Sequence, residues 1–351
     1  MVDMACATDL RSYSRRIQSM SWHIVSTCAP FIQTGADALQ RLRSANATVA
    51  ELPTGAPLRG ADLERALTGA DAVVAALDWF TEEVFRALPR LKLVSRWGVG
   101  YDAIDLSAAT RAGVIVTNTP GVLDETVADL ALALLLGCAR RIDTSAASMH
   151  AGEWRPEWGG DVHGKTLGLV GCGRIGLAVA RRAKGFNLRV LAFDLFPKPE
   201  AKALGVDFVT LDELLAQADF VSLHAAVTDQ SRGMIGEPQL RRMKPTAFLI
   251  NTARGALIDE GALVNALNAG RLAGAALDAF CAEPLARDHP LRSARNVLLT
   301  PHIASLTTDN GRRISDVAAQ TVLDVMAGRV PRNVVNADVL TSTALRARMT
   351  T

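Results

Sequence analysis

The segment Gly164–Asp194 constrains the fold of this chain more strongly than any other part of its sequence. It begins with a short apolar run, Leu167–Val170, and ends with a second apolar run, Val190–Phe193, followed by Asp194. Three glycines in G-x-G-x-x-G spacing stand between the runs, at the start of a helical pattern: Gly171, Gly173 and Gly176. This pattern predicts a strand, a tight turn, a helix and a second strand, with an acid about 20 residues after the glycines. Such an arrangement is typical of a dinucleotide-binding unit rather than a purely structural turn.

Each glycine of this turn has a predicted role. Gly171 makes the turn, Gly173 lets the backbone approach a pyrophosphate, and Gly176 lets the helix pack closely on the strand. The helix N-terminus would present N–H groups and the positive end of its dipole to the phosphates. Asp194 can accept both ribose hydroxyls and would repel a 2′-phosphate, so the predicted cofactor is NAD rather than NADP.

Composition limits the class of protein. The 351 residues are enough for two domains, and 49% hydrophobic but only 5% aromatic residues predict a core of Ala, Leu and Val, which suits parallel sheets covered by helices on both faces. A net charge of +2 points to neither nucleic acid nor an anionic membrane surface as a partner. Five scattered cysteines without a C-x-x-C pair indicate a cytoplasmic setting, and the most apolar run, Leu130–Ala139, is too short to cross a bilayer.

Polar residues stand where the predicted strands end. One α/β unit is predicted from Trp22 to Arg96, and a second begins at Gly164. In the second unit, apolar runs lead directly into four polar side chains: His224, Arg254, Asp278 and His302. Because the carboxyl ends of parallel strands line the ligand crevice of such sheets, all four are expected to border one cleft.

Two further segments allow a functional interpretation. In SRWGVGYDAIDL (95–106), two glycines straddle Val99 after a strand, which gives either a nest of N–H groups for a carboxylate or an ordinary strand-to-helix turn. A long helix predicted from Leu123 to Arg141 is apolar on more than one face, which indicates burial in a domain or subunit contact.

Three side chains suit the reduction of a carbonyl group by hydride transfer. The reaction needs a proton donor that titrates near neutral pH, which favours His302, and a cation for the carbonyl and any carboxylate, which favours Arg254. Glu283 is the nearby carboxylate that would stabilise a protonated imidazole. The alternatives are a structural loop histidine, a surface arginine and an exposed turn glutamate. His224 is interpreted as structural or cofactor-lining, and no spacing of a metal site is present.

Several ordered motifs resemble the D-isomer-specific 2-hydroxyacid dehydrogenases, and most of all their short phosphoglycerate dehydrogenase-like branch. The resemblance covers about residues 20 to 337. Its motifs are SRWGVGYDAIDL, VTNTPGVLDETVADLALALLL, GKTLGLVGCGRIG, LINTARGALIDEGALVNAL, GAALDAFCAEPLARDHPL, LLTPHIAS and PRNVVN, the last of which matches the family's closing strand.

The resemblance implies roles for individual residues. The family's catalytic set matches Arg254, Glu283 and His302, and its substrate-carboxylate cradle matches Val99 and Gly100. Its cofactor contacts match the glycine turn, Asp194 and a further set of residues, among which the aspartate binds the nicotinamide: Arg174, Ile175, Ala225, Thr252, Ala253, Asp278 and Ser305.

The resemblance also implies an architecture of two Rossmann-like α/β domains, each a parallel sheet flanked by helices, with a hinged cleft between them. Residues 21–118 and 302–337 would form a discontinuous substrate-binding domain, and residues 119–301 the NAD-binding domain. Residues 1–20 would be a loose extension and residues 338–351 a tail. A homodimer would form through the long helix after Pro120.

Some residues depart from the family pattern. Where phosphoglycerate dehydrogenases carry an arginine for the substrate phosphate, this chain has Ala75-Ala76-Leu77, followed by Asp78, which would repel a phosphate. Trp97 replaces a small residue and is expected to narrow or cap the pocket, while Ala103 and Ala226 replace an asparagine and a proline. We therefore expect a substrate with an uncharged or apolar side chain, and not 3-phosphoglycerate.

The sequence thus predicts an NAD-dependent oxidoreductase that interconverts a small 2-oxoacid and the (R)-2-hydroxyacid. His302 would be the acid–base residue, Arg254 would bind the carboxylate, and Glu283 would tune His302. The alternative is an NAD(H)-sensing, corepressor-like binding scaffold of the same fold; a formate or phosphite dehydrogenase is a third hypothesis.

Overall fold

Two parallel sheets carry the predicted sites in the structure, a computed structural model that describes residues 21–349. The predicted extension, residues 1–20, and the last two residues of the tail lie outside the described residues. The strands are β1 (Trp22–Ser26), β2 (Ala47–Glu51), β3 (Ala72–Ala75), β4 (Leu93–Arg96), β5 (Ile115–Thr117), β6 (Thr166–Val170), β7 (Arg189–Phe193), β8 (Val206–Phe208), β9 (Phe220–Leu223), β10 (Phe248–Asn251), β11 (Gly274–Leu277) and β12 (Val297–Leu299).

Helices connect these strands. They are α1 (Ala29–Thr34), α2 (Ala36–Ser44), α3 (Gly60–Ala66), α4 (Glu82–Ala87), α5 (Leu106–Arg111), α6 (Asp124–Ala139), α7 (Ile142–His150), α8 (Arg174–Ala183), α9 (Pro199–Ala203), α10 (Leu211–Gln217), α11 (Glu237–Arg242), α12 (Glu260–Asn268) and α13 (Thr308–Met326). The apolar runs that predicted strands correspond to the observed strands within a few residues. Strand β1 ends at Ser26, and Cys28 is already the N-cap of α1, which carries a proline in its first turn.

Among the described residues, the first compact unit consists of residues 21–120 and 308–349. Its five strands pair in the order β2-β1-β3-β4-β5, and every pair is parallel. The central strands are fully buried and contribute side chains such as Val73 and Val94 to one apolar cluster. Burial on both faces explains why these strands are uninterrupted apolar runs.

The second compact unit runs from Gly121 to Thr307. Its seven strands pair in the order β12-β11-β10-β9-β6-β7-β8, again all parallel. One apolar cluster joins the sheet to α6 and α8, and another joins it to α10 and α12. Helices therefore cover both faces of a parallel sheet, which confirms the predicted α/β fold class. The two units meet in sequence at 120/121 and 307/308, against predicted boundaries at 118/119 and 301/302.

Helix α13 has no counterpart among the elements predicted from the sequence. Its buried stripe is made of small and branched residues at helical spacing, Ile314, Ala318, Val322 and Val325. The segment PRNVVN, predicted as a closing strand, is not a strand: it forms an isolated antiparallel bridge in which Val335 N–H donates to Val116 O at 2.8 Å. That prediction was therefore wrong in its element type, because only one bridge of the ladder forms.

The C-terminal tail is an integral part of the first unit. The guanidinium of Arg346 donates to the carbonyl oxygens of Leu88 at 2.7 Å and Leu91 at 3.0 Å, just after helix α4. Val339 is fully buried, and Gly113 has no space for a Cβ because the backbone of Ala344 occupies that position. Cation donors at the end of a helix satisfy carbonyl groups that the helix leaves unpaired.

The long apolar helix α6 is buried within the second unit, where it packs on α8 and on the sheet. Its remaining exposed face is polar, since Glu125 and Asp129 form ion pairs with Arg182. Packing within the second unit thus buries most of the apolar surface of α6, which is the first of the two explanations that the sequence left open. No helix within residues 21–349 combines the length and the apolar character that crossing a membrane requires.

Candidate active site

The glycine turn lies where the strand order of the second sheet reverses, between β6 and β9. Gly171 follows β6 with a φ of +93°, and a Cβ on it would lie 2.6 Å from the backbone nitrogen of Ala225, which follows β9. A Cβ on Gly176 would collide with the carbonyl oxygen of Gly171. Turn, helix α8 and strand β9 therefore approach one another as closely as glycine allows, at the edge where ligands bind in such sheets.

Space is open in front of helix α8. A Cβ added to Gly173, the N-cap of α8, would meet no atom within 4 Å. Arg174 begins the helix, and its Nε donates to Asp124 Oδ2 at 2.7 Å, while Ile175 is half-buried against the apolar cluster of α6. The N-terminus of α8 thus has open space at its N-cap, with the side chain of Arg174 beside it.

Asp194 stands at the end of β7, as predicted. One of its carboxylate oxygens accepts the N–H of Cys172 at 2.6 Å and the other accepts the N–H of Phe196 at 2.8 Å. The acid therefore ties the glycine turn to the neighbouring strand. Burial raises the pKa of the Cys172 thiol to about 11, so Cys172 is an unreactive, small side chain that fills space inside the turn.

His302 and Glu283 form a hydrogen-bonded pair. The Nδ1 of His302 lies 2.7 Å from Oε2 of Glu283, and Oε1 of the same carboxylate accepts the N–H of Phe280 at 3.0 Å. Burial alone would raise the pKa of Glu283, but the hydrogen bond and charge of His302, together with the charge of Arg254, lower it. Glu283 is therefore a carboxylate at neutral pH and holds the Nδ1 side of the imidazole.

Arg254 follows β10 and is half-buried. Its guanidinium donates to the carbonyl of Ala253 at 2.7 Å, and its backbone carbonyl accepts the side-chain amide of the buried Asn251 at 2.8 Å. Its charge reaches Glu283 strongly enough to help lower that pKa. The charge of Arg254 thus acts on the same carboxylate that contacts the imidazole of His302.

Asp278 is held by three hydrogen-bond donors of its own unit. Its carboxylate is buried and accepts hydrogen bonds from Thr300 Oγ1 at 2.6 Å and from the N–H groups of Ile303 and Ala304 at 2.8 Å each. Burial raises its pKa in spite of these donors. Asp278 therefore fixes the turn on both sides of His302, which has a positive φ of +53°.

Three other predicted cofactor residues are buried or half-buried in the second unit. Thr252 is 8% exposed, and its hydroxyl is buried without a hydrogen-bond partner among the described residues. Such an orphan is costly unless a ligand completes it. Ala253 and Ser305 are half-buried.

His224 is held as a neutral imidazole. Its Nε2 lies 2.9 Å from the hydroxyl of Ser222, and burial lowers its pKa to about 4. A histidine that stays neutral across the physiological range fits the structural or cofactor-lining interpretation better than acid–base work.

The first unit contains the remaining predicted substrate contacts. Val99 and Gly100 follow β4 and are half-buried, after Gly98 at a φ of +136°. Trp97 is only 4% exposed, and its indole N–H donates to Ser315 on α13 at 3.0 Å. Trp97 thus packs in the core of this unit instead of taking the pocket-capping position expected from the sequence.

Asp78 also differs from its expected role. The side chain is 3% exposed and its two oxygens accept from Thr27 Oγ1 at 2.5 Å and from the N–H of Leu58 at 2.8 Å. Asp78 joins the ends of β1 and β3 to the segment before α3 and is enclosed by protein, so its effect on a phosphate would be indirect.

Sequence reasoning missed a second carboxylate–imidazole pair near the first. Glu260 accepts the N–H of Cys281 at 2.8 Å, two residues before Glu283, and its other oxygen lies 3.4 Å from Nε2 of His289. A Cβ on Gly255 would collide with the backbone of the same segment. The contacts join residues more than 20 positions apart, so no local pattern could reveal them.

Comparisons with known proteins agree with this geometry. The family model described as "D-isomer specific 2-hydroxyacid dehydrogenase, NAD binding domain" matches residues 132–304. A glyoxylate reductase from Korarchaeum cryptofilum is 48% identical over 278 residues, which are 77% of this chain and 84% of that protein. A glyoxylate reductase from Thermococcus litoralis is 43% identical over 297 residues, 82% of this chain and 89% of that protein.

A solved structure extends the similarity to the whole fold. The TT0316 protein from Thermus thermophilus matches with a TM-score of 0.81 at 42% identity, covering 89% of this chain and 99% of that one. With relatives this similar over more than two thirds of its length, the chain belongs to the D-isomer specific 2-hydroxyacid dehydrogenases and is an NAD-dependent oxidoreductase.

Proposed function

We propose that this enzyme reduces a short 2-oxoacid to the (R)-2-hydroxyacid, with His302 as the proton donor, Arg254 as the cation and Glu283 as the residue that orients and tunes His302. The observation that carries the proposal is the 2.7 Å contact between His302 and Glu283, beside a guanidinium whose charge reaches the same carboxylate. All three follow parallel strands of the NAD-binding unit or lie in the loops after them.

The residues of the second unit fit NAD. The open space before α8, the close contact of Gly171 with Ala225 and the orphan hydroxyl of Thr252 are features that a bound dinucleotide would complete. Asp194 would accept the adenosine ribose hydroxyls. Bound NADH supplies the hydride for the carbonyl carbon.

The protein's own side chains account for the rest of the reaction. Since Glu283 faces Nδ1, the other ring nitrogen of His302 can carry the proton that the developing alkoxide needs. Arg254 would bind the substrate carboxylate and polarise the carbonyl through its planar fork. The N–H groups of Val99 and Gly100 would hold the carboxylate as well.

Glyoxylate is the first substrate to test, because the two relatives reported above are glyoxylate reductases. The segment Ala75–Leu77 carries no cation for a substrate phosphate, which disfavours 3-phosphoglycerate. A substrate with a short, uncharged side chain fits these residues best.

A panel assay tests the proposal. NADH oxidation would be followed with glyoxylate, pyruvate, hydroxypyruvate and phosphohydroxypyruvate, each at several concentrations. The proposal expects turnover of one or more uncharged 2-oxoacids and much weaker turnover of the phosphorylated one. Oxidation of 3-phosphoglycerate as readily as of glycerate would contradict the substrate class. No turnover of any acid, together with NADH-dependent capture of a protein partner, would favour the binding scaffold instead.

We propose in addition that the enzyme forms a homodimer through the surface around α6 and α7. Since the exposed side of α6 is polar, the apolar contribution would come from Ile142 and Met149 on α7 and from two exposed tryptophans after it, Trp154 at 84% and Trp158 at 96%. Sedimentation equilibrium would measure the mass, and Trp158→Ser combined with Trp154→Ser should weaken the dimer; a wild-type monomer would contradict it.

A further inference from the structure

Three successive carbonyl groups after strand β4 each accept a hydrogen bond. The carbonyl of Trp97 accepts from the guanidinium of Arg96, and that of Gly98 accepts the backbone N–H of Thr119 at 2.9 Å. The carbonyl of Val99 accepts the side-chain amide of Asn118 at 2.8 Å. The loop is thus held by a hydrogen bond at each of its three carbonyl groups.

These bonds determine where the next N–H groups point. A trans peptide is planar and its C=O and N–H are antiparallel, so fixing one carbonyl direction fixes the opposite direction of the following N–H. The bond from Thr119 to Gly98 therefore orients the N–H of Val99, and the bond from Asn118 to Val99 orients the N–H of Gly100. Within residues 21–349, neither of these N–H groups donates to a protein acceptor.

Two neighbouring, uncommitted N–H groups on a half-buried loop form a site for an anionic oxygen pair. The positive φ of Gly98 allows the chain to make this turn, and a Cβ there would press on the Arg96 guanidinium. The Val99 N–H is oriented by a backbone donor, whereas the Gly100 N–H depends on a side chain. A substitution of that side chain can therefore test the orientation of the Gly100 N–H.

We propose that Asn118 is a positioning residue for the substrate carboxylate: by holding the Val99 carbonyl it keeps the Gly100 N–H directed at the carboxylate. This inference rests on the proposed function, in which the Val99–Gly100 loop binds the 2-oxoacid. Asn118 is 9% exposed, and its own backbone N–H is anchored to the carbonyl of Asn333 at 3.3 Å. The backbone from which the Asn118 side chain extends is therefore itself held in place.

Loss of the amide would free the Val99–Gly100 peptide to rotate. Asn118→Ala removes the donor, and Asn118→Asp keeps the shape but presents no N–H to the Val99 carbonyl at neutral pH. Each variant should raise the KM for the 2-oxoacid and the inhibition constant of oxamate, a 2-oxoacid analogue, by about tenfold to thirtyfold. The KM for NADH should stay within about twofold, because no cofactor residue changes.

Asn336→Ala is the matched control. Asn336 is another buried asparagine of the same unit, and its side chain bonds the backbone of Val116 and Val114 rather than the loop. It should lower the melting temperature without changing the KM for the 2-oxoacid. A KM shift equal to that of Asn118→Ala would show that general loosening of the unit, not positioning, explains the effect.

The unaltered holoenzyme gives an independent measurement if the variants fail to fold. In NMR spectra, oxamate should shift the amide protons of Val99 and Gly100 downfield, and the Asn118 side-chain amide should exchange slowly both with and without oxamate. Folded Asn118 variants with a wild-type KM, or a rapidly exchanging Asn118 amide, would overturn the inference. Failure of the wild-type enzyme to reduce any 2-oxoacid would instead overturn the proposed function.

Discussion

Asp278 holds the turn that carries His302, since its carboxylate accepts the N–H groups of Ile303 and Ala304, each at 2.8 Å. The hydroxyl of Thr300, two residues before His302, completes the set at 2.6 Å. A backbone with positive φ at His302 needs such support, because this conformation is unfavourable for residues other than glycine.

Thr300→Val should therefore impair catalysis without loss of cofactor. Removal of the hydroxyl leaves a buried carboxylate with one donor fewer, and we expect kcat to fall by about threefold to tenfold. The Kd of NADH should change by less than about twofold. Thr300→Ser keeps the hydroxyl and is the control; equal losses in both variants would contradict the role of this hydrogen bond.

The segment of Glu283 is positioned by a close backbone contact. A Cβ on Gly255 would collide with the backbone of Phe280 and Cys281, which is rigid and cannot move aside like a flexible side chain. Gly255→Ala should destabilise the protein by about 1–3 kcal/mol and lower kcat, because Arg254 and Glu283 move apart.

Gly261→Ala provides the comparison, measured by urea unfolding and steady-state kinetics. Gly261 lies in the first turn of α12, where a Cβ would have only an ordinary contact of 3.4 Å with Asp259. It should be neutral or stabilising by up to about 1 kcal/mol. A Gly255→Ala enzyme with wild-type stability and kcat would show that the contact is not needed.

Asp71 links stability to pH. It is 2% exposed, accepts the N–H of His23 at 3.0 Å and pairs with Lys92 at 2.8 Å and Arg90 at 2.9 Å. Burial acts to raise its pKa, but these hydrogen bonds and charges lower it overall. A carboxyl whose pKa is depressed by folding stabilises the protein above its unfolded pKa, about 3.9, and loses that contribution as the pH falls through the folded value.

Asp71→Asn should accordingly lower the free energy of unfolding at pH 7 by about 1–3 kcal/mol. The difference from wild type should shrink as the pH falls below about 4. Asp62→Asn, which breaks an exposed pair with Arg65, should cost less than about 0.5 kcal/mol. Urea titrations from pH 3 to pH 8 would measure both; a difference that grows in acid would be the wrong sign.

Asp194 should determine the choice of cofactor. Its carboxylate at the end of β7 would repel a 2′-phosphate, so kcat/KM for NADH should exceed that for NADPH by more than about tenfold, which needs only about 1.4 kcal/mol. Asp194→Ser should narrow that ratio. Asp207→Ser, which removes an exposed partner of Arg189 on the neighbouring strand, should leave the ratio unchanged. A wild-type enzyme that prefers NADPH would contradict the role of Asp194.

The fold could be predicted because local sequence patterns determine its strands and helices, and the same patterns give the positions of the candidate site residues along the chain. Uninterrupted apolar runs mark buried parallel strands, and side chains such as His302 and Arg254 stand three residues after the last residue of such a strand. Helix α13 was missed because its buried stripe is dominated by small residues such as Ala318 and Ala319, which give weak hydrophobic contrast.

Side-chain partners could not be predicted in the same way. The donors to Asp278 lie more than 20 residues further along the chain, and the amide of Asn118 meets Val99 only because the sheet brings them together. Trp97 precedes the Val99–Gly100 loop in sequence, but no local pattern shows that its indole N–H donates to Ser315 on α13. The sequence shows which residues follow a strand, whereas the rotamer of each side chain depends on the packing around it.

The central claim is that His302 donates the proton. The direct measurement is the kcat of His302→Gln with the best 2-oxoacid, alongside NADH binding followed by fluorescence; His163→Gln, a change at an exposed histidine that contacts Asn187, is the control. We predict a loss of about 10²- to 10⁴-fold in kcat with NADH binding intact. Near-normal turnover by His302→Gln would contradict the account.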